Sequence, residues 1–257
     1  MRVVALHEDV LVCTSSFWQT TCTVVRGAGG KGSEAPEAFV IDSPVLPDEL
    51  EALPGVLEHT GWPCSGLLAT HADWDHLLGR LAFPQAPLGC AETTAARLTG
   101  SFGEAVRELR EFDDEHYVER PRPLGLGQVQ ALPVPGKLEV GGGELELHPT
   151  EGHVPEGMAI FVPWAGVLVV GDYLSPVEIP WISEGGSRSA YRATLERLRP
   201  LVEAAEHIVP GHGAVLDAVR AAAILREDLH YLDTGELPLA RRSPAQRKID
   251  AENRTRW

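Results

Sequence analysis

Apolar and polar residues alternate through the first forty positions, in Arg2–Leu6, Val10–Thr14, Thr21–Arg26 and Phe39–Asp42, and β-branched side chains dominate. A period of two with that composition predicts a run of antiparallel strands. Pro47–Glu58 opens on a proline followed by Asp48 and Glu49, the signature of a helix start. Gly66–Thr70 reads as a short buried strand and Asp75–Leu81 as the start of a helix. Leu88–Ala91 reads as a strand and Ala95–Glu115 as one or two helices rich in Arg and Glu. Strand patterning returns between Val129 and Val170, in Lys137–Val140, Glu144–His148, Met158–Val162 and Val167–Val170. Ser187–Ala205 and Ala214–Leu232 read as helices around a strand at His207–Val209. Strands, helices, strands, helices is the order expected of two packed sheets with helices outside.

Composition narrows this picture. At 257 residues and 44% hydrophobic content the chain can bury a large core, and the candidate chemistry below spans both halves. One domain over residues 1–240 is therefore expected, followed by a basic tail at 241–257. That tail holds Arg241, Arg242, Arg247, Lys248, Arg254 and Arg256 with few apolar residues. It reads as a solvated or partly disordered end, or alternatively as a docking strip for an anionic substrate or a second subunit. A homodimer through the tail or the first hairpins is compatible with the pattern.

The net charge of −15 argues against a duplex nucleic-acid surface, which needs a basic face. No apolar run is long enough for a membrane span, since Ala159–Val170 is broken by Pro163 and Gly166. Acidic residues at Glu8 and Asp9 come too early for a signal peptide, so a cytoplasmic location is expected. Cys13, Cys22, Cys64 and Cys90 are scattered and read as buried thiols, with a Cys13–Cys22 disulfide as the alternative. Gly27–Ser33 lacks the spacing of a phosphate-binding loop and reads as a flexible hairpin connection.

The chemistry concentrates at Thr70-His71-Ala72-Asp73-Trp74-Asp75-His76, directly after an apolar run. Four metal-ligand side chains within six residues can be presented from one tight loop at a strand end. Gly152-His153, Gly171-Asp172 and Pro210-Gly211-His212-Gly213 add three more ligand types at turn-like positions. Imidazoles and carboxylates mixed in this way bind divalent ions while leaving positions open to water and substrate. The other histidines, His148 among them, fit no ligand position.

This order of His-x-x-x-Asp-His, Gly-His, Gly-Asp and Gly-His resembles the metallo-β-lactamase-fold hydrolases, a group that includes hydroxyacylglutathione hydrolases, lactonases and related thioesterases. The resemblance covers nearly the whole chain and implies an αββα four-layer sandwich. It implies that His71, Asp73 and His153 hold one divalent metal, that Asp75, His76 and His212 hold a second, and that Asp172 bridges them. It further implies a metal-bound hydroxide as nucleophile, oriented by Asp75. Thr70 and Asp42 are candidates for supporting these ligands. Trp74, Tyr173 and Trp181 read by default as core packing, with the wall of an apolar pocket as the alternative, and Tyr173 is also a candidate for donating a hydrogen bond to a substrate oxyanion.

The sequence departs from the family at Asp73, where the motif has a second histidine. An aspartate oxygen has similar reach, but it adds a negative charge. That lowers Lewis acidity and tilts preference from zinc toward manganese or iron. The leading expectation is a dinuclear hydrolase of an ester, thioester or lactone of a small molecule. An iron-dependent oxidoreductase is the alternative, because flavodiiron proteins of this fold carry a carboxylate at the same place. A nuclease ranks third, since the acidic charge disfavours a polyanionic substrate.

Overall fold

Strands β1 (Arg2–His7), β2 (Val10–Thr14) and β3 (Thr21–Arg26) form an antiparallel meander, and β4 (Ala38–Asp42) extends it. This arrangement is seen in a computed structural model that describes residues 1–28 and 37–257. Most of the predicted hairpin loop at Gly27–Ser33 lies outside the described residues. After β4 the pairing turns parallel through β5 (Cys64–Leu68), β6 (Leu88–Ala91) and β7 (Val129–Leu132), giving one seven-stranded sheet. Its parallel crossovers carry helices α1 (Pro47–Thr60), α2 (Gly79–Ala82) and α3 (Glu92–His116).

The second sheet holds β8 (Gly136–Val140), β9 (Gly143–Pro149), β10 (Met158–Val162) and β11 (Val167–Gly171) as an antiparallel run. β12 (His207–Pro210) lies parallel to β11, and the short β13 (Leu216–Asp217) closes that edge. Helices α4 (Arg188–Ala204) and α5 (Ala218–Thr234) cover its outer face, and α6 (Pro244–Arg256) ends the chain.

The period-two pattern sorts side chains into layers. On β2, Val10 and Val12 point into the core between the sheets, while Leu11 and Cys13 point into the core beneath α1 and α3. On β10 and β11, Ile160, Val162, Val167 and Val169 face the first sheet, whereas Ala159, Leu168 and Val170 face α4 and α5. Burying each such Val or Leu is worth about 1.5–3 kcal/mol, so the sandwich is held by its two-sided strands. This is the expected αββα four-layer arrangement.

Three local expectations are corrected. The helix expected from Ala214 begins at Ala218, because Leu216 and Asp217 pair with β12 and the Asp217 side chain then caps α5 through the Arg220 amide at 2.7 Å. The helix start expected at Asp75 is a single 3-10 turn, Trp74–His76, followed by the short α2. The tail is solvated over most of its residues but not disordered: it folds as α6, with Gln246 and Asn253 buried, on a packed anchor, Arg241, which pairs with Asp228 at 2.6 Å. Cys13 and Cys22 are register partners across β2 and β3, but both are free thiols.

Candidate metal centre

Every candidate ligand sits where a strand of one sheet ends beside a strand end of the other. The loop after β5 carries His71 and Asp73, and the 3-10 turn carries Asp75 and His76. From the second sheet, His153 follows β9, Asp172 follows β11 and His212 follows β12. The seam is stitched beside the site: the Thr21 amide donates to Gly211 O at 2.8 Å and the Thr21 hydroxyl to Pro210 O at 2.7 Å. Glycine is required at two of these turns. A Cβ on Gly211 would lie 2.1 Å from Asp172 Oδ1, and Gly152 holds φ +127 against the backbone of Tyr191.

The four imidazoles are oriented alike, Nδ1 toward a protein partner and Nε2 toward the centre. His71 Nδ1 lies 3.0 Å from the Thr70 hydroxyl, which itself donates to Asp42 Oδ2 at 2.9 Å. His76 Nδ1 lies 3.0 Å from the same carboxylate oxygen. His153 Nδ1 lies 2.8 Å from the carbonyl of Trp181, and His212 Nδ1 lies 3.3 Å from the Thr20 hydroxyl. Hydrogen-bond partners on Nδ1 fix ring angle and tautomer for His71, His153 and His212, whereas His76 Nδ1 has only the close charge contact with Asp42; all four leave Nε2 free to ligate. Thr70 and Asp42 thus stand directly behind two candidate ligands.

The carboxylates fall between these nitrogens. Asp172 Oδ2 is 3.4 Å from His153 Nε2 and 3.8 Å from His71 Nε2, while its Oδ1 is 3.2 Å from His76 Nε2 and 3.5 Å from His212 Nε2. Asp73 Oδ2 approaches His153 and His71 at 3.2 and 3.6 Å. Asp75 Oδ2 approaches His212 and His76 at 3.4 and 3.6 Å. Two separate groups result, His71–Asp73–His153 and Asp75–His76–His212, linked by a third, His71–His76–Asp172, with ligand atoms in each within 4.8 Å of one another.

The residues present fit the binding of divalent metal. His71 Nε2, His76 Nε2 and Asp172 Oδ1 are buried without any hydrogen-bond partner, an arrangement that is costly unless a cation satisfies it. The electrostatics point the same way. Burial opposes charge on His153 and His212, yet the facing carboxylates outweigh it and raise the two imidazoles to about 9 and about 10. For Asp73 and Asp172 burial is likewise overcome by the imidazoles around them, which hold both carboxyls well below the usual range.

Two functional groups escaped the sequence reading. Arg97 on α3 donates to Asp73 Oδ1 and to Glu156 Oε1, both at 3.0 Å. Glu156 in turn accepts from the Ala72 amide at 3.1 Å and from the Thr94 hydroxyl. The metal loop is thereby tied to α3 through residues with no local sequence signature. Tyr173 requires a correction. Its hydroxyl is buried and accepts the His153 amide at 3.1 Å, so it supports a ligand's backbone rather than facing substrate.

The centre opens into a cleft of about 340 Å³ whose floor includes Asp73, Asp75, Asp172 and His212. Trp74 and Trp181 line it, the alternative to core packing, together with Trp18; Trp74 also packs in the core beneath α1 and α3. Among the described residues, no helix is long and apolar enough to cross a membrane.

Comparisons place this site in a family. The model of the metallo-beta-lactamase superfamily matches residues 17–212. A metallo-beta-lactamase from Pontibacter korlensis superposes with a TM-score of 0.63 at 17% identity, over 91% of this chain and 99% of that one. A metallo-beta-lactamase family protein from Thermus thermophilus gives 0.64 at 21% identity, over 89% and 81%. The stereoselective inverting sec-alkylsulfatase Pisa1 from Pseudomonas sp. gives 0.66 at 12% identity, over 90% of this chain and 41% of that one. A comparison with curated proteins found no match. A family match over most of the length, on a chain whose His/Asp cluster can bind metal at the seam of an αββα sandwich, carries one conclusion: this protein belongs to the metallo-beta-lactamase superfamily.

Proposed function

We propose that the protein is a dinuclear metal-dependent hydrolase that cleaves an ester, thioester or lactone of a small molecule. The observation that carries this reading is the placement of Asp172, with one oxygen toward each of the two ligand groups. Divalent ions held there would supply Lewis acidity and make a water molecule acidic enough to react near neutral pH. The chain's own residues do the rest. Asp75 lies on the cleft floor and accepts a proton from the attacking water. Asp42 and Thr70 hold His76 and His71 in register.

Arg97 bears on the choice of metal. An aspartate in place of a neutral ligand would favour a harder ion, but the guanidinium on Asp73 Oδ1 offsets that charge. Zinc therefore remains the proposed occupant, ahead of manganese. An iron-dependent oxidoreductase is the second reading, favoured only by the Asp73 carboxylate itself.

The experiment is elemental analysis of protein purified without chelator, followed by an ester, thioester and lactone panel with Asp75→Asn as control. Two zinc ions per chain with hydrolysis that the variant lowers by about a hundredfold or more is the expected result. Iron as the sole metal, with oxygen uptake and no hydrolysis, moves the second reading to the front.

A further inference from the structure

The family match ends at residue 212, yet α6 at Pro244–Arg256 forms part of the cleft over the metal centre. Ala245, Lys248, Ile249 and Glu252 line the cleft, and their i, i+3, i+4, i+7 spacing puts them on one helix face. The helix is fastened by buried polar side chains. Gln246 Oε1 accepts the Ile179 amide at 2.7 Å, and Asn253 accepts the Ile182 amide at 2.8 Å while donating to Pro180 O at 2.7 Å. These bonds bracket Trp181, so the helix and the tryptophan form one continuous wall.

We infer that α6 is the specificity wall of this site, admitting substrates whose non-reacting part is apolar and carries no negative charge. The inference rests on the hydrolase reading for the word substrate. The surfaces that meet such a group are aromatic and aliphatic: Trp18, Trp74 and Trp181 with Ile249. Indole faces bind flat or aliphatic groups in proportion to buried area. Charge sets the other limit. Away from the ligand cluster, and among the described residues, Glu108, Glu178 and Glu252 line the cleft against one cationic side chain, Lys248, so an anionic tail reaching that wall would sit among carboxylates in a partly desolvated space. A tail built for glutathione or a nucleic-acid strand, anionic in both cases, meets the wrong sign of wall.

The test uses metal-chelating probes, because they report on the wall whether or not the protein turns over an ester. A phenylpropyl hydroxamate and its para-carboxylate analogue are titrated calorimetrically into zinc-loaded protein. The phenyl compound is expected to bind at least about tenfold more tightly, the scale of one unfavourable charge contact. Glu252→Lys combined with Glu108→Lys should bring the ratio to about one or below, and Ile249→Asp should weaken both probes, all with zinc content unchanged. Equal affinity of the two probes for the unaltered protein overturns the inference. So does a ratio untouched by the α6 variants, or no binding of the phenyl probe at millimolar concentration. Discrimination between probes without hydrolysis of any ester would sink the hydrolase reading and leave the wall standing. Hydrolysis without discrimination would do the reverse.

Discussion

The Arg97 guanidinium donates to Oδ1 of Asp73 at 3.0 Å and so leaves Oδ2 as the oxygen facing His153 and His71. One partner thereby sets both how Asp73 can ligate and how much charge it brings. Arg97→Met releases Oδ1 and removes the compensating charge. The manganese-to-zinc affinity ratio should then rise by about tenfold or more, in line with other substitutions behind metal ligands. Arg97→Lys, which keeps the charge but not the planar fork, should recover part of the shift. Competition titrations read the ratio directly, and a ratio unchanged in Arg97→Met would remove Arg97 from any account of the metal.

Chelation should destabilise the whole protein. Ions that bind only the folded chain contribute about 3–4 kcal/mol at one hundred to one thousand times Kd, or roughly 10 °C in Tm for a chain of this size. Scanning calorimetry with and without zinc measures this. Identical melting with saturating zinc and with chelator would contradict the fit of cations to the orphaned Nε2 atoms.

The cysteines predict a pH dependence. Burial pushes the Cys13 and Cys90 thiols up to about 12, and Cys22 is raised well above its ordinary value for the same reason. At pH 8 a thiol raised from 9 to about 12 has roughly a thousandfold less thiolate, so these thiols should resist alkylation until the chain unfolds. The sign for stability follows from folded values above the unfolded one. The thiols' contribution is complete below about pH 9 and is lost as pH rises toward 12. Reagent counting at pH 8, native against unfolded, should show a gain of at least these three thiols. Rapid native reaction at Cys13 would refute it.

Asn253 links the last helix to the metal. Asn253→Ala strips partners from the Ile182 amide and the Pro180 carbonyl, both in the segment that presents the Trp181 carbonyl to His153. Each buried group left unpaired costs about 1–3 kcal/mol. Lower stability together with a weakened first metal should result, read by denaturant unfolding and by zinc titration. A variant that loses stability but keeps both zinc affinities would separate α6 from His153.

How much could be read from the chain depended on how local each interaction is. His71, Asp73, Asp75 and His76 are contiguous, and His153, Asp172 and His212 each follow a glycine at a strand end, so pattern alone brought them forward. The layered sandwich was legible because residues such as Val10, Leu11 and Val12 alternate between two cores. Arg97 and Glu156 were hidden because their bonds to Asp73 and Ala72 span 24 and 84 positions, with no periodicity to mark them. The tail misled for a different reason. Its anchors are Gln246, Asn253 and Arg241, polar side chains that resemble a solvated end until their buried partners are seen. Tyr173 was placed by adjacency to Asp172, although neighbouring residues at a strand end point to opposite sides.

The ligand sets are divided across the seam. His71, Asp73, Asp75 and His76 follow strands of the first sheet, while His153, Asp172 and His212 follow strands of the second. On the proposed dinuclear reading each half of the chain would carry an incomplete ligand set, and both sets would close only when the sheets meet face to face. Ion capture would then favour the docking of the two halves, the cations acting as rivets through the sandwich.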